Sequence, residues 1–188
     1  MFAIKYKITD NIESLRKTSV EDFENKMCGE IRGLFSLDFN GNQFGFYDES
    51  LPKSAEGLFE ELIILWFQLL NEAIHKLTES RYIALSAIED CSWIEFKTEY
   101  DNFIVSKISM HLNTNNTPFI VTKPNESIEY LGWKNIKIKR KDFINEVIEK
   151  TESLIKCIKQ INPSLLESST IIELTKSLEK SKLIQYQG

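Results

Sequence analysis

The strongest constraint on how this 188-residue chain folds is an alternating stretch that runs into Asn40-Gly41. Ile31, Gly33, Phe35, Leu37 and Phe39 alternate with Arg32, Leu34, Ser36 and Asp38. A period of two puts the first set on one side of a strand. Asn-Gly accepts the positive φ angles of a type I′ turn, so the chain should reverse there through a two-residue loop. Closing the hairpin at that point sets Leu37 opposite Phe44 and Phe35 opposite Phe46, and one face becomes apolar throughout.

Around this hairpin the pattern predicts a mixture of strands and helices. Phe2, Ile4, Tyr6 and Ile8 alternate with Ala3, Lys5, Lys7 and Thr9, marking a half-buried strand. Asp10 to Glu30 is weakly periodic and reads as a connection with at most a helical turn near Phe23. From Glu56 to Glu79 the residues Phe59, Leu62, Ile63, Trp66, Leu70, Ala73, Ile74 and Leu77 follow helical spacing. Ile64, Leu65, Phe67 and Leu69 widen the apolar surface beyond one stripe, so this helix should be covered on more than one side. Strands are expected at Tyr82 to Ala87, Ser92 to Glu99 and Phe103 to His111. A three-residue loop at Tyr100-Asp101-Asn102 would set Ile94 near Ile108 and pair Glu95 with Lys107 on the opposite face.

After a loop-like stretch from Leu112 to Gly132, a short last strand is expected from Trp133 to Lys139. Two closing helices follow. The first runs from Phe143 to Ile161 and stops at Asn162-Pro163, and the second begins with a capping box at Thr170-x-x-Glu173. Strands without strict β-α-β alternation favour the α+β class. The expectation is a single α+β domain over residues 1–188, with a mostly antiparallel sheet packed against a long central helix and C-terminal helices.

Composition sets the surroundings of that fold. The chain is 42% hydrophobic and 27% charged, a globular balance, and its net charge of −5 offers nucleic acid no global attraction. Cys28, Cys91 and Cys157 are far apart with no Cys-x-x-Cys, which points to reduced and mostly buried thiols. The N-terminus has no basic region followed by an apolar run, and the apolar window Leu62 to Leu70 is too short for a membrane span. A cytoplasmic protein without membrane contact is expected.

No local motif carries chemistry. Only two histidines are present. Glu72-x-x-His75 is half of a di-iron helix-bundle pattern, which needs two such pairs, and His75 falls on the polar side of its helix. Gly41-x-x-x-Gly45 lies in a hairpin and lacks the Lys-Ser/Thr of a phosphate loop. Neither a catalytic residue, a cofactor nor a metal site is therefore expected. Lys134, Lys137, Lys139, Arg140 and Lys141 form a basic cluster, but no aromatic residue interleaves them in sequence as a single-strand binding platform requires, so no nucleic-acid partner is expected.

Charge is unevenly distributed. Between Gly33 and His75 seven acids face one base, whereas from Gly132 to the end eleven bases face seven acids. Asp48, Glu49, Glu56, Glu60 and Glu61 concentrate the negative charge near the hairpin end and the start of the long helix. Such a surface would steer a basic partner and fix its register.

The strand Phe2-Ala-Ile-Lys-Tyr-Lys-Ile, the stretch from Glu30 to Gly41, the Trp66 helix and Lys141-Asp-Phe-Ile-Asn-Glu-Val, with Ile161-Asn-Pro after it, form a plan. That plan resembles bacterial immunity proteins, the antidotes encoded beside polymorphic or contact-dependent growth inhibition toxins. The resemblance implies a cytoplasmic, non-enzymatic protein that binds and neutralises a cognate toxin domain, with a basic nuclease as one partner class. It assigns no contact residue by position, so the five carboxylates above are the candidate toxin-binding surface on charge alone. Two other readings stand beside it: a small enzyme whose site assembles only in three dimensions, and a homodimer or other assembly built through the surplus apolar residues of the long helix.

Overall fold

The computed structural model describes residues 1–87, 92–110, 118–125 and 127–185. Asn40 and Gly41 both have positive φ, 54° and 84°, as the I′ turn requires. Strands β2 (Arg32–Phe39) and β3 (Asn42–Phe46) pair with Leu37 against Phe44 and Phe35 against Phe46, the register expected from the turn. β1 (Phe2–Ile8) pairs antiparallel along the other edge of β2, and β4 (Glu61–Leu62) pairs with Arg32 and Gly33 beyond the end of β3.

Position 45 of this first sheet has no room for a side chain. Gly45 has a φ of 78°, and a Cβ added there would lie 2.5 Å from the carbonyl oxygen of Phe35. Gly45→Ala should therefore destabilise the chain by roughly 2 kcal/mol, from left-handed backbone strain and the displaced β2–β3 ladder together. Urea denaturation checks this, and an unchanged midpoint would mean the strand can relax around the methyl group.

The remaining strands build a second antiparallel sheet rather than extending the first. β5 (Tyr82–Ser86), β6 (Ser92–Glu99) and β7 (Asn102–Met110) form its centre. β8 (Ile120–Val121) flanks β5, while β9 (Ile128–Tyr130) and β10 (Ile136–Lys139) flank β7. β8 and β9 lie in the stretch expected to be loop, and His111 lies outside the described residues. The expected three-residue loop between β6 and β7 is instead a two-residue reversal at Tyr100-Asp101, with Tyr100 at φ 52°. Pairing therefore shifts by one residue. Trp93, not Ile94, opposes Ile108, and Glu95 opposes Ser106 rather than Lys107. The shift turns Phe96, Phe103 and Val105 together toward the main core and leaves Glu95 beside Trp93 on the other face.

The helices depart from expectation mainly at their starts. Asp10 to Glu30 holds two short helices, α1 (Ile12–Lys17) and α2 (Val20–Lys26). The side chains of Asn11 and Ser19 cap them by accepting from the backbone of Ser14 and Asp22. The long helix expected from Glu56 is split into α3 (Lys53–Glu56) and α4 (Ile63–Glu79). Residues 61–62 are drawn off to pair with β2, and the Ile63 N–H donates to the Ile31 carbonyl. α5 (Arg140–Ile161) ends at Asn162 as expected, and the Asn162 side chain donates to the carbonyls of Leu15 and Thr18, tying α5 to α1. α6 (Ser169–Gln185) begins before the expected Thr170 cap. Its backbone is instead approached by Ser168 Oγ, which lies 3.5 Å from the Ile171 nitrogen.

One apolar cluster joins both sheets to α4, α5 and α6. Trp66 and Phe67 carry α4 onto the first sheet. Trp66 stacks on Phe35 with ring centroids 5.0 Å apart, and Phe67 meets Tyr6 edge-on. Phe143 of α5 sits where the sheets converge, against Phe2, Phe96 and Phe103. Ile64, Phe67 and Leu69 are buried, so α4 is covered on several sides, and the apolar surplus on which a homodimer through this helix would rest is used inside the chain. Among the described residues no helix is long and apolar enough to cross a membrane.

Candidate functional site

The five carboxylates singled out by charge lie on the segment between β3 and α4, which crosses the outer face of the first sheet. Lys5 and Lys7 of β1 pair with Ser36 and Leu34, on the side away from Phe35 and Leu37. Lys7 reaches out to Glu56 at 2.7 Å, and Lys5 lies over the Tyr47 ring. Glu56, with Tyr47 and Glu49 adding smaller attractions, holds the Lys7 ammonium above its usual pKa. Glu56 is 7% exposed, so it is an internal anchor and presents no free carboxylate. That corrects its place in the charge-based surface.

The other four carboxylates remain at or near the surface. Asp48 is exposed, and the N–H and hydroxyl of Ser50, both donating to it, hold its carboxyl below the usual range. Glu49 is exposed and accepts from the Tyr47 hydroxyl at 3.1 Å. Glu60 accepts from Thr9 Oγ1 at 2.8 Å, and Glu61 accepts from Trp66 Nε1 at 2.9 Å. Burial raises the carboxyl of Asp10, and the nearby Glu60 adds to the rise.

Between these acids stands an apolar feature absent from the charge-based reading. Gly57 ends α3, and the chain then displays Leu58 at 78% and Phe59 at 40% exposure. Phe59, expected on the buried stripe of a helix, instead stacks on Phe46 with centroids 4.2 Å apart. That contact ties the segment to the end of β3, beside Asp48 and Glu49. Gly57 was the one sequence signal available, since a glycine interrupting a helical pattern marks a break. The arrangement is an apolar prominence rimmed by carboxylates.

Glu30 lies at the base of this segment, where its carboxylate accepts from the Ile64 N–H at 3.2 Å and so caps α4 from outside the helix. Burial pushes its pKa up to about 7, against the lowering effect of the backbone N–H groups of Ile64, Ile31 and Leu65. A carboxyl raised on folding binds more protons in the native state. Its contribution is complete below about pH 4.5 and disappears as pH rises through about 7. Stability should thus fall by about 2–3 kcal/mol across that window. In Glu30→Gln this part of the slope should vanish, as equilibrium urea denaturation at pH 5 and pH 8 would show.

A concave feature of about 510 Å3 runs between α4 and α6. Glu72, His75, Lys76 and Glu79 line one side, and Glu173, Lys176 and Lys180 the other. His75, expected to be exposed, is half-buried, with Nε2 3.1 Å from Ser181 Oγ. Burial and then the Lys180 ammonium lower its pKa. Ser181 is fully buried and its hydroxyl donates to the Ser177 carbonyl, so this pair joins helices and offers no accessible nucleophile.

The remaining groups fall elsewhere. Cys28 is exposed rather than buried, Cys157 is half-buried with its thiol pKa pushed up by burial, and Cys91 lies outside the described residues. Among the described residues no group of three His, Cys, Asp or Glu side chains is placed to hold a metal ion. The basic cluster does acquire an aromatic neighbour in space, Tyr130, with the Lys97 and Lys134 ammonium groups 5.9 and 5.5 Å from its ring centroid. Compared with protein-family models, curated proteins and solved structures, the chain finds no match in any of the three.

Proposed function

We propose that this chain is an immunity-type antagonist that binds a cognate bacterial toxin domain and blocks its active site or substrate access. The observation that carries the reading is the Leu58–Phe59 prominence with its carboxylate rim. An apolar centre that desolvates on contact, ringed by charge that steers the partner, is the anatomy of a specific protein interface. The carboxylates favour a basic partner, which fits a toxin whose substrate is nucleic acid. The resemblance of the chain to immunity proteins supports the same class. Asp48, Glu49 and Glu60 supply the rim, Leu58 and Phe59 the centre, while Glu61 and Glu56 hold the segment in place through Trp66 and Lys7.

The experiment is a growth assay with the neighbouring gene. The C-terminal domain of the polypeptide encoded beside this chain is expressed in a tractable bacterium with and without it. Arrest relieved only by co-expression is the expected result. Toxicity that this chain leaves unrelieved would overturn the reading.

The groove between α4 and α6 favours a second reading, a small enzyme, because ionisable groups of both signs converge on it. Substrate turnover abolished by His75→Ala would select that reading over the antagonist.

A further inference from the structure

The groove between α4 and α6 has charged walls whose side chains are left unpaired. The two helices run parallel. The Gln68 side chain donates to the Thr170 carbonyl at 3.2 Å, and His75 meets Ser181 further along both. Glu72, His75, Lys76 and Glu79 share one face of α4 at i, i+3, i+4 and i+7. Glu173, Lys176, Ser177 and Lys180 share a face of α6 at the same spacing. The groove volume of about 510 Å3 falls within the roughly 300–1,000 Å3 of small-molecule sites.

The spacing offers these side chains partners that they do not take. Glu72 precedes Lys76 by four residues, the favourable order for an ion pair, and Glu173 precedes Lys176 by three. Among the described residues, none of the six charged side chains makes an ion pair or a hydrogen bond. Lys182, on another face of α6, is by contrast held by both Glu179 and Glu152. The His75 ring stands among the unpaired groups. Ser181 gives its proton to the Ser177 carbonyl, so its oxygen accepts from Nε2–H of His75 and leaves Nδ1 as the acceptor of the ring. Burial and then Lys180 favour the neutral ring, while Glu72 and Glu79 oppose them, so both signs of charge surround it.

The two walls differ in sign. α4 offers two carboxylates and a ring acceptor against one ammonium, and α6 offers two ammonium groups against one carboxylate. A simple anion would meet Glu72 and Glu173 beside the lysines, and a simple organic cation would meet the lysines beside the acids. Among the described residues no trio of His, Cys, Asp or Glu is placed to hold a metal ion. A ligand bearing both charges complements both walls at once. We propose that this groove binds a small zwitterion, an ammonium and a carboxylate on one aliphatic chain, with the ammonium against Glu72, His75 and Glu79 and the carboxylate against Lys176 and Lys180. The chain of the ligand spans the gap between the helices, and binding requires no bond to break. The site therefore rests on neither the antagonist surface nor an enzymatic use of the groove.

The test titrates ε-aminocaproate into the full chain at constant ionic strength, read by calorimetry and by thermal unfolding. The wild-type protein should bind it saturably and unfold at a higher temperature in its presence. Caproate and n-hexylammonium, which each keep one of the two charges, should bind about tenfold more weakly or less. Glu72→Gln with Glu79→Gln should weaken binding of the zwitterion about tenfold, and Lys176→Gln with Lys180→Gln by a similar factor. All four side chains are exposed, so both double variants should fold as the wild type does. Lys182→Gln, on the same helix but outside the groove, should keep the wild-type affinity. Absence of saturable binding to the wild type overturns the proposal. Caproate or n-hexylammonium binding as tightly as the zwitterion overturns it equally, and so does wild-type affinity in either double variant.

Discussion

Trp66→Ala is expected to destabilise the chain by about 3–5 kcal/mol, which for a domain of this kind is a large share of its total stability. Trp66 is 1% exposed and is the largest of the fully buried side chains. Its ring stacks on Phe35 and meets Phe44 edge-on, so removing it opens a cavity between α4 and the hairpin that both elements line. Neither wall can collapse freely. Phe35 and Phe44 are fixed by the β2–β3 ladder, and α4 is held by Phe67 and Asn71, the latter donating to Thr151 of α5. Urea denaturation followed by far-UV circular dichroism checks the magnitude. A loss below about 1 kcal/mol would show that the hairpin and helix close over the gap.

Trp66→Phe separates packing from positioning. Phenylalanine keeps most of the apolar contact but removes the indole N–H that donates to Glu61. The fold should survive with a modest loss, while the segment carrying Leu58 and Phe59 loses one of its ties to α4. Partner affinity falling more than stability in this variant would connect the core to the surface.

How much of this was legible in the sequence follows from how local each signal is. The hairpin was readable because Asn40-Gly41 and the flanking alternation specify turn and register within a few residues. α5 was readable because its stripe runs uninterrupted into Asn162-Pro163. The start of α4 was not, since Phe59 and Leu62 keep helical spacing by coincidence, and the pairing of residues 61–62 with β2 is a contact between distant parts of the chain. The β6–β7 slip has a similar cause. Tyr100 takes positive φ where tyrosine gives no turn signal, so alternation alone favoured the wrong loop length. α1 and α2 announce themselves only through their caps, Asn11 and Ser19, because helices this short show little periodicity. The carboxylates of the candidate site were visible as charge, but their roles were not. Which of them is buried on Lys7, and which ring stands among them, depends on the crossing of the first sheet by residues 47–62.

Leu58→Asp combined with Phe59→Asp is expected to weaken partner binding a hundredfold or more, the joint effect of two central apolar residues each worth about 2 kcal/mol or more. Leu58 is 78% exposed, so its replacement should leave the free chain nearly unchanged, and Phe59 loses only the stacking contact with Phe46. Binding loss should therefore greatly exceed stability loss, which distinguishes an interface from a structural element. Reversing the rim with Asp48→Lys and Glu49→Lys should act differently. Those side chains hold little of the fold, so the change should appear mainly as slower association and a reduced salt dependence. Reversal at Glu60 and Glu61, the pair that charge alone nominates, is a poorer probe because the two side chains anchor Thr9 and Trp66. Surface plasmon resonance of the proposed toxin domain against these variants, at low and physiological salt, reads both effects. A Leu58→Asp/Phe59→Asp protein that unfolds at the wild-type midpoint and binds with wild-type affinity would remove this prominence from the interface, whatever the growth assay showed.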